Sequence, residues 1–137
     1  MPATSRALFR VRRTLEHLPA LPRSGNASSH DETTEGIEVR GPDGDGVAVL
    51  SMQSEPVNTL TAEFIEVITR AFQSLEQDPQ VKGVVLTSGL RAFCAGLDLN
   101  AISPPPAQAD FKVFWQAFEK MYETILLSPL ATVCAIN

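Results

Sequence analysis

Residues 91–102, RAFCAGLDLNAI, have types and spacing that suit ligand binding by the main chain. The stretch is small and nearly uncharged, holds Gly96 and Asp98 near its centre, and follows the apolar run VKGVVLTSG. Two interpretations are open. Either the stretch is a plain strand-to-helix connection in which Asp98 caps the helix, or it is a loop that presents backbone N–H groups to a ligand.

The segments before this loop predict alternating strands and helices. GIEVRGPDGDGVAVLSMQ predicts two strands around a Gly/Asp/Pro turn, and TLTAEFIEVITRAFQSLEQDP predicts an amphipathic helix capped by Thr61. VKGVVLTS is rich in β-branched residues and predicts a strand buried on both faces. Strand, helix and strand together predict a βαβ unit and indicate the α/β class.

The residues after the loop predict a further helix and strand. SPPPAQAD is predicted to be non-helical because proline cannot donate the backbone hydrogen bonds of a helix. Asp110 is predicted to cap the next helix, Pro129 to follow its end, and LATVCAIN to begin another buried strand. One side of this helix is aromatic and is expected to pack in the core or against another subunit: Phe111, Phe114, Trp115, Phe118, Tyr122 and Ile125.

Composition narrows the functional classes. A chain of 137 residues with a net charge of −5 predicts one ordinary globular domain. The sequence has no apolar window long enough for a transmembrane helix, and its acidic character argues against binding to nucleic acid. Cys94 and Cys134 lack metal-ligand spacing and a histidine cluster, so reduced, buried thiols and no metal site are expected.

Residues 1–30 differ in charge from the rest of the chain. They hold five arginines against one glutamate, a net of +4, so the remaining residues carry −9. At helical spacing, the apolar residues Leu8, Val11, Leu15 and Leu18 share one face. This pattern predicts a mitochondrial transit peptide, with a disordered basic tail as the alternative. Residues 31–36 are predicted to be a linker and residues 37–137 the folded part.

Three segments in order resemble the crotonase superfamily, the enoyl-CoA hydratase/isomerase family. FCAGLD, residues 93–98, is similar to the first signature of that family. EPVNTLTAEFIEVITRAFQSLEQD before it and LLSPLATVCAIN after it also resemble family segments, so that the resemblance covers residues 46–137. The Pro-Val-Asn-Thr-Leu stretch and Leu97 are most similar to the branch of mitochondrial Δ3,Δ2-enoyl-CoA isomerases.

The resemblance implies a fold and an activity. The expected fold is a crotonase-like α/β fold built of ββα units, incomplete at its C-terminus. The expected reaction moves the double bond of a 3-enoyl-CoA to the trans-2 position in fatty acid β-oxidation. Because it passes through an enolate of the thioester, negative charge develops on one carbonyl oxygen. The backbone N–H of Leu97 is implied to be the first donor of the oxyanion hole.

The resemblance also implies which residues bind the substrate. Besides Leu97, two short segments are expected to line the path of CoA. The first is Pro56, Val57 and Asn58, and the second is Ala95 and Gly96. No cofactor is expected beyond the acyl-CoA thioester, which is the substrate and the expected binding partner. The implied location is the mitochondrial matrix, and complete members of the family are expected to be homotrimers.

The sequence departs from the family pattern at its end. The second oxyanion donor and the catalytic glutamate of the isomerases are expected beyond Asn137, and no acidic residue present here matches that glutamate. The chain is therefore expected to be the N-terminal half of such an enzyme, inactive by itself, with an exposed apolar edge on its last strand. The alternatives are an enoyl-CoA hydratase, which would use the same loop, and a non-catalytic acyl-CoA-binding or assembly fragment.

Overall fold

The computed structural model describes residues 32–34, 36–103 and 108–137. The strands are β1 Glu32–Thr34, β2 Ile37–Arg40, β3 Val47–Met52, β4 Thr59–Leu60, β5 Gly83–Ser88, β6 Gly96–Leu97 and β7 Ala131–Cys134. The helices are α1 Ala62–Gln77, α2 Leu99–Ile102 and α3 Gln108–Leu127. The proposed transit peptide, residues 1–30, lies outside the described residues and stays a prediction.

The main sheet has five strands in the order β1-β2-β3-β5-β7. The β1–β2 and β2–β3 pairs are antiparallel, whereas β5 pairs in parallel with β3 on one side and β7 on the other. Since α1 connects the parallel strands β3 and β5, the predicted βαβ unit is confirmed, as is the α/β class. β4 and β6 form a separate parallel pair, which holds the loop of residues 91–102.

The turn between β2 and β3 is held by Asp43. One oxygen of its carboxylate accepts the N–H groups of Asp45 and Val47, at 3.0 and 2.8 Å, and its backbone carbonyl accepts the N–H of Gly46. An Asx-type turn of this kind provides the local hydrogen bonds that reverse the chain. GPDGDG is therefore a hairpin turn, as the sequence predicts.

The core forms where α1 packs beside the sheet. The hydroxyl of Thr61 accepts the N–H of Phe64 at 3.2 Å, which confirms Thr61 as the N-cap, and the helix ends before Asp78. Its apolar face is continuous with apolar side chains of the strands and of α3 in one cluster. The buried members from α1 are Phe64, Ile65, Val67, Ile68, Phe72 and Leu75, and those from other segments are Ile37, Ala48, Leu50, Met52, Val81, Val84, Leu86, Phe114 and Met121.

The third helix buries much less of its surface than the aromatic pattern predicts. Phe114 and Met121 are buried in the core, but Trp115 and Tyr122 are 40% and 58% exposed. Trp115 stacks on Phe111 with ring centroids 6.0 Å apart, so the aromatic residues contact one another at the surface. Phe114, Phe118 and Ile125 thus lie in or against the core as predicted, whereas a core position is wrong for Phe111, Trp115 and Tyr122, and the alternative of a subunit contact stays a prediction.

Strand β7 also differs from its prediction. It pairs with β5 as expected, but Val133 is 41% exposed and the following Ile136 is 76% exposed, so a buried strand is wrong and the predicted exposed apolar edge is confirmed. Cys134 on this strand is exposed, whereas Cys94 is half-buried, and both thiols are free. The prediction of buried thiols is therefore wrong for Cys134, which lies on the edge strand of the sheet that the described residues form.

Two element boundaries also differ from expectation. β1 falls within the segment predicted to be a linker, so the sheet begins earlier than Ile37, and Gly36 connects β1 to β2 at a φ of +83°. α3 begins at Gln108, which places Asp110 in the first turn rather than at the cap. A carboxylate in the first turn still favours the helix through its dipole.

None of the described helices is long and apolar enough to cross a membrane.

Burial at Phe72 predicts a large effect on stability. Phe72 on α1 is fully buried in the core cluster, so Phe72→Ala is expected to lower the free energy of unfolding by about 3–5 kcal/mol. Phe111→Ala is the matched control, because the same atoms are removed from a helix position that is partly exposed. Its expected cost is below about 1 kcal/mol. Urea denaturation followed by circular dichroism measures both, and equal costs would contradict the described core.

Candidate functional site

The loop between β5 and α2 lies against the segment that precedes α1. The β4–β6 pair aligns Thr59 with Gly96 and Leu60 with Leu97. Next to this pair, the N–H of Ala95 donates to the carbonyl of Val57 at 3.0 Å. The structure therefore brings together the two stretches in which the sequence places its candidate residues, 56–58 and 95–97, although they are distant along the chain.

The backbone direction of β6 determines where the Leu97 N–H points. The N–H of Asp98, one residue later, donates to the carbonyl of Leu60 on β4 at 3.1 Å. In an extended chain, successive N–H groups point to opposite sides of the strand. The Leu97 N–H is therefore directed away from β4, on the side of β6 that has no partner strand in the two-stranded sheet.

Gly96 gives the loop its unusual backbone conformation. Its φ is +91°, a value that residues with a Cβ rarely adopt, and a Cβ built there would have open space around it. The requirement for glycine is therefore conformational and not steric. The conformation interrupts the regular alternation of the strand, because the N–H groups of Ala95 and Asp98, three residues apart on either side of it, both donate to the β4 segment.

Asp98 has the capping role that the sequence predicts. One of its carboxylate oxygens accepts the N–H of Asn100 at 2.9 Å, at the start of α2. This bond satisfies one of the free N–H groups that any helix has at its N-terminus. The capping interpretation is thus confirmed for the Asp98 side chain, and it leaves the main chain of Gly96 and Leu97 available for the second interpretation.

The candidate substrate-binding residues differ in their exposure. Pro56 and Ala95 are exposed, and Val57, Gly96 and Leu97 are half-buried. Asn58 is 0% exposed. The first five are therefore placed where a ligand can reach at least part of the residue, whereas Asn58 lies beneath the surface. The roles assigned to these residues, including the Leu97 donor, stay predictions.

The side chain of Asn58 forms a hydrogen-bond cluster that sequence reasoning did not find. Its amide N–H groups donate to the hydroxyl of Ser88 at 2.8 Å and to the carbonyl of Phe93 at 3.0 Å, with a longer contact of 3.3 Å to the carbonyl of Ala92. Its amide oxygen accepts the N–H of Ser54 at 2.8 Å. Asparagine is one of the few residues that tolerate a positive φ, so its presence at position 58 is a partial signal of an unusual backbone conformation there. Nothing in the sequence identifies its hydrogen-bond partners.

Two other features of the described residues include no residue of the loop. An open cleft of about 380 Å³ is lined by Gly36, Gln53, Ser54, Glu55, Thr61, Glu63, Phe64 and Val67, none of which is a candidate site residue. On β2, the Arg40 guanidinium donates a hydrogen bond to the Glu38 carboxylate and lowers the pKa of that carboxyl below its usual value. β3 separates this ion pair from β5 and the loop.

The combination of sheet, crossover helix and glycine loop is that of a known class of folds. A crystal structure of human mitochondrial delta3-delta2-enoyl-CoA isomerase superposes with a TM-score of 0.71 at 35% sequence identity, covering 75% of this chain and 40% of that chain. The fold is therefore crotonase-like, as the sequence resemblance implies.

Sequence comparison identifies the family. The family model for enoyl-CoA hydratase/isomerase matches residues 43–137, and the chain belongs to this family. Human "Enoyl-CoA delta isomerase 1, mitochondrial" is 37% identical over 95 residues, covering 69% of this chain and 31% of that protein. The rat protein of the same name is 35% identical over 94 residues, covering 67% of this chain and 32% of that protein. This chain thus spans about a third of the length of these relatives.

The backbone of Gly96 allows a sharp test of the loop geometry. Gly96→Ala is expected to destabilise the protein by about 1–3 kcal/mol, because alanine must adopt a φ near +91°. Gly44→Ala is the matched control, since the space around Gly44 is equally open and its φ is not in the left-handed region. That substitution is expected to be neutral or slightly stabilising. Urea denaturation of both variants checks the difference, and similar effects would contradict the conformation described for Gly96.

Proposed function

We propose that this chain carries the first oxyanion donor and part of the CoA groove of a mitochondrial enoyl-CoA isomerase. The proposed reaction moves the double bond of a 3-enoyl-CoA to the trans-2 position. The observation that carries the proposal is the direction of the Leu97 N–H, which points away from β4. Leu97 and Gly96 are half-buried and Ala95 is exposed, so a ligand can reach this part of the loop. The isomerases found at 35–37% identity support this reaction over others in the family.

The proposed chemistry depends on where negative charge develops. Removing a proton from the carbon next to the thioester places charge on the carbonyl oxygen, and a fixed N–H donor stabilises this enolate more than the neutral thioester. The Leu97 N–H is held by the β4–β6 register, so little reorganisation accompanies the reaction. One such donor typically contributes about 3 kcal/mol to transition-state stabilisation, or a few hundredfold in rate.

Substrate binding and turnover are separable in this proposal. The 137 residues supply one donor and the segments that contain Pro56 and Ala95, both of which are exposed beside the β4–β6 pair. None of the acidic residues present matches the glutamate by which the isomerases move the proton. We therefore propose that this chain binds an acyl-CoA thioester but does not isomerise it when assayed alone.

A second candidate function is a non-catalytic acyl-CoA-binding or assembly chain. The observation that favours it is the apolar surface of α3 and β7, where Trp115, Tyr122, Leu126 and Leu127 are exposed together with Val133 and Ile136. Co-purification with a full-length family member is expected of the assembly chain and separates the two candidates.

An enoyl-CoA hydratase would use the same Leu97 donor. Hydration of a 2-enoyl-CoA by the complex of this chain with the full-length family member would identify it.

Removing the Leu97 donor tests the proposed function directly. The carbonyl carbon of [1-¹³C]octanoyl-CoA is expected to shift downfield in its ¹³C NMR spectrum on binding to the 137-residue chain. Leu97→Ala keeps the N–H and is expected to keep that shift, whereas Leu97→Pro removes the N–H and is expected to abolish it. The associated loss of affinity is about tenfold, the worth of one hydrogen bond. An unchanged shift in a folded Leu97→Pro variant would exclude the donor.

The proposed mitochondrial location rests on the basic leader and on the mitochondrial relatives. Residues 1–30 fused to a fluorescent reporter are expected to direct the reporter into mitochondria, because their arginines and apolar residues lie on opposite faces of a predicted helix. Replacing Arg6, Arg10 and Arg13 by Glu in the same fusion is the control and is expected to leave the reporter in the cytosol. A cytosolic signal from the unmodified fusion would contradict the proposal.

A further inference from the structure

The buried amide of Asn58 connects the two segments that form the candidate site. Its nitrogen donates to Ser88 at the end of β5 and to the carbonyl of Phe93 in the loop. Its oxygen accepts the N–H of Ser54, and its own backbone N–H donates to the carbonyl of Ser54 at 2.7 Å. The Cys94 thiol donates to the backbone carbonyl of Asn58 at 3.1 Å. One residue thus bonds to the end of the interior strand β5, to the loop and to the turn before β4.

The partners of Asn58 fix the orientation of its amide group. A backbone N–H faces one end of the amide, and a hydroxyl and two backbone carbonyls face the other. If the amide oxygen and nitrogen of Asn58 were exchanged, the nitrogen would face the N–H of Ser54 and the oxygen would face the two carbonyls. Only the described orientation therefore satisfies the amide group. The Ser88 hydroxyl donates in turn to the carbonyl of Ala92 at 2.8 Å, which leaves it able to accept from Asn58.

The backbone of Asn58 makes a second demand on this position. Its φ is +54°, in the left-handed region that asparagine and glycine tolerate and that most other residues avoid. The next residue, Thr59, begins β4 and pairs with Gly96. A change in the Asn58 conformation therefore alters the position of β4, to which the residues on either side of Leu97 are attached.

We propose that Asn58 is a positioning residue for the Leu97 N–H and does not itself contact the substrate. Its complete burial removes it from the ligand path, and the four hydrogen-bond partners of its side chain lie in the loop, in the turn before β4 and at the end of β5. The effect on acyl-CoA rests on the proposed function of Leu97. The effect on the loop geometry does not.

Two substitutions separate the contributions of Asn58. Asn58→Gly keeps the permitted positive φ and deletes the amide, whereas Asn58→Asp keeps the size of the side chain and replaces the donor N–H groups by carboxylate oxygens facing carbonyls. Ser88→Ala is the milder third variant, which removes one partner and covers the case in which both Asn58 variants fail to fold. Ile68→Ala, fully buried in α1, is the control for a general loss of stability.

The first measurement is amide hydrogen exchange of the full 137-residue chain by NMR. The N–H groups of Ala95 and Asp98, which join the loop to the β4 segment, are expected to exchange about tenfold faster in the Asn58 and Ser88 variants, relative to amides of α1. In Ile68→Ala both groups of amides are expected to change together. Unchanged relative exchange at Ala95 and Asp98 in every folded variant would overturn the proposal.

The second measurement compares octanoyl-CoA with free CoA, which lacks the thioester carbonyl. Both Asn58 variants are expected to bind octanoyl-CoA about tenfold more weakly and to bind free CoA as the unmodified chain does. Equal weakening for the two ligands would indicate a general structural role and would overturn the positioning role. If the unmodified chain does not bind octanoyl-CoA, the proposed function fails, and the exchange measurement still decides whether Asn58 positions the loop.

Discussion

The parallel pairing of β4 with β6 is the interaction on which the candidate site depends. It is short, with two residues on each strand, yet it places the segment before α1 against the loop after β5. A pair of this length is not stable by itself, because its few hydrogen bonds cannot offset the conformational entropy of two ordered segments. Its stability therefore comes from its surroundings, namely the Asn58 cluster beneath it and the core cluster against which Leu60 and Leu97 pack.

The core and the site share the same elements, which explains how a small set of contacts can position a main-chain donor. α1 begins immediately after β4, with Thr61 as its cap, so the packing of α1 beside the sheet also fixes the end of β4. β5 ends at Ser88, whose hydroxyl belongs to the Asn58 cluster. The apolar packing of α1 thus sets the distance between the end of β4 and the end of β5. The Asn58 cluster sets the conformation of the turn before β4 and of the loop after β5.

The sequence predicted those features that a few neighbouring residues determine. The Asp43 turn, the Thr61 cap and the Asp98 cap each depend on residues within about one helical turn, and the apolar stripe of α1 depends on a repeat within one segment; all are present. The family resemblance supplied the fold, because FCAGLD and its flanking segments occur in the expected order, and the fold agrees with it. Local chemistry and recognisable motifs were therefore sufficient for the architecture.

Features that join distant residues could not be predicted in the same way. The bond from Asn58 to Ser88 spans 30 positions, and no pattern in either segment specifies the other. The sequence also left open whether Trp115 and Tyr122 lie in the core or at a subunit contact, because periodicity identifies an apolar face but not what covers it. The strand β1 was predicted as linker, since Glu32–Thr34 is short, polar and next to a glycine turn.

The order of strands in the sheet has a consequence for synthesis of the chain on the ribosome. β5 lies between β3 and β7, and its parallel partner β7 begins only at Ala131, after the loop, α2 and α3 have been made. At roughly 5–20 residues per second, the edge of β5 waits about 2–10 s for that partner. During this interval the Gly83–Ser88 strand offers an apolar, unpaired edge to molecular chaperones or to other nascent chains.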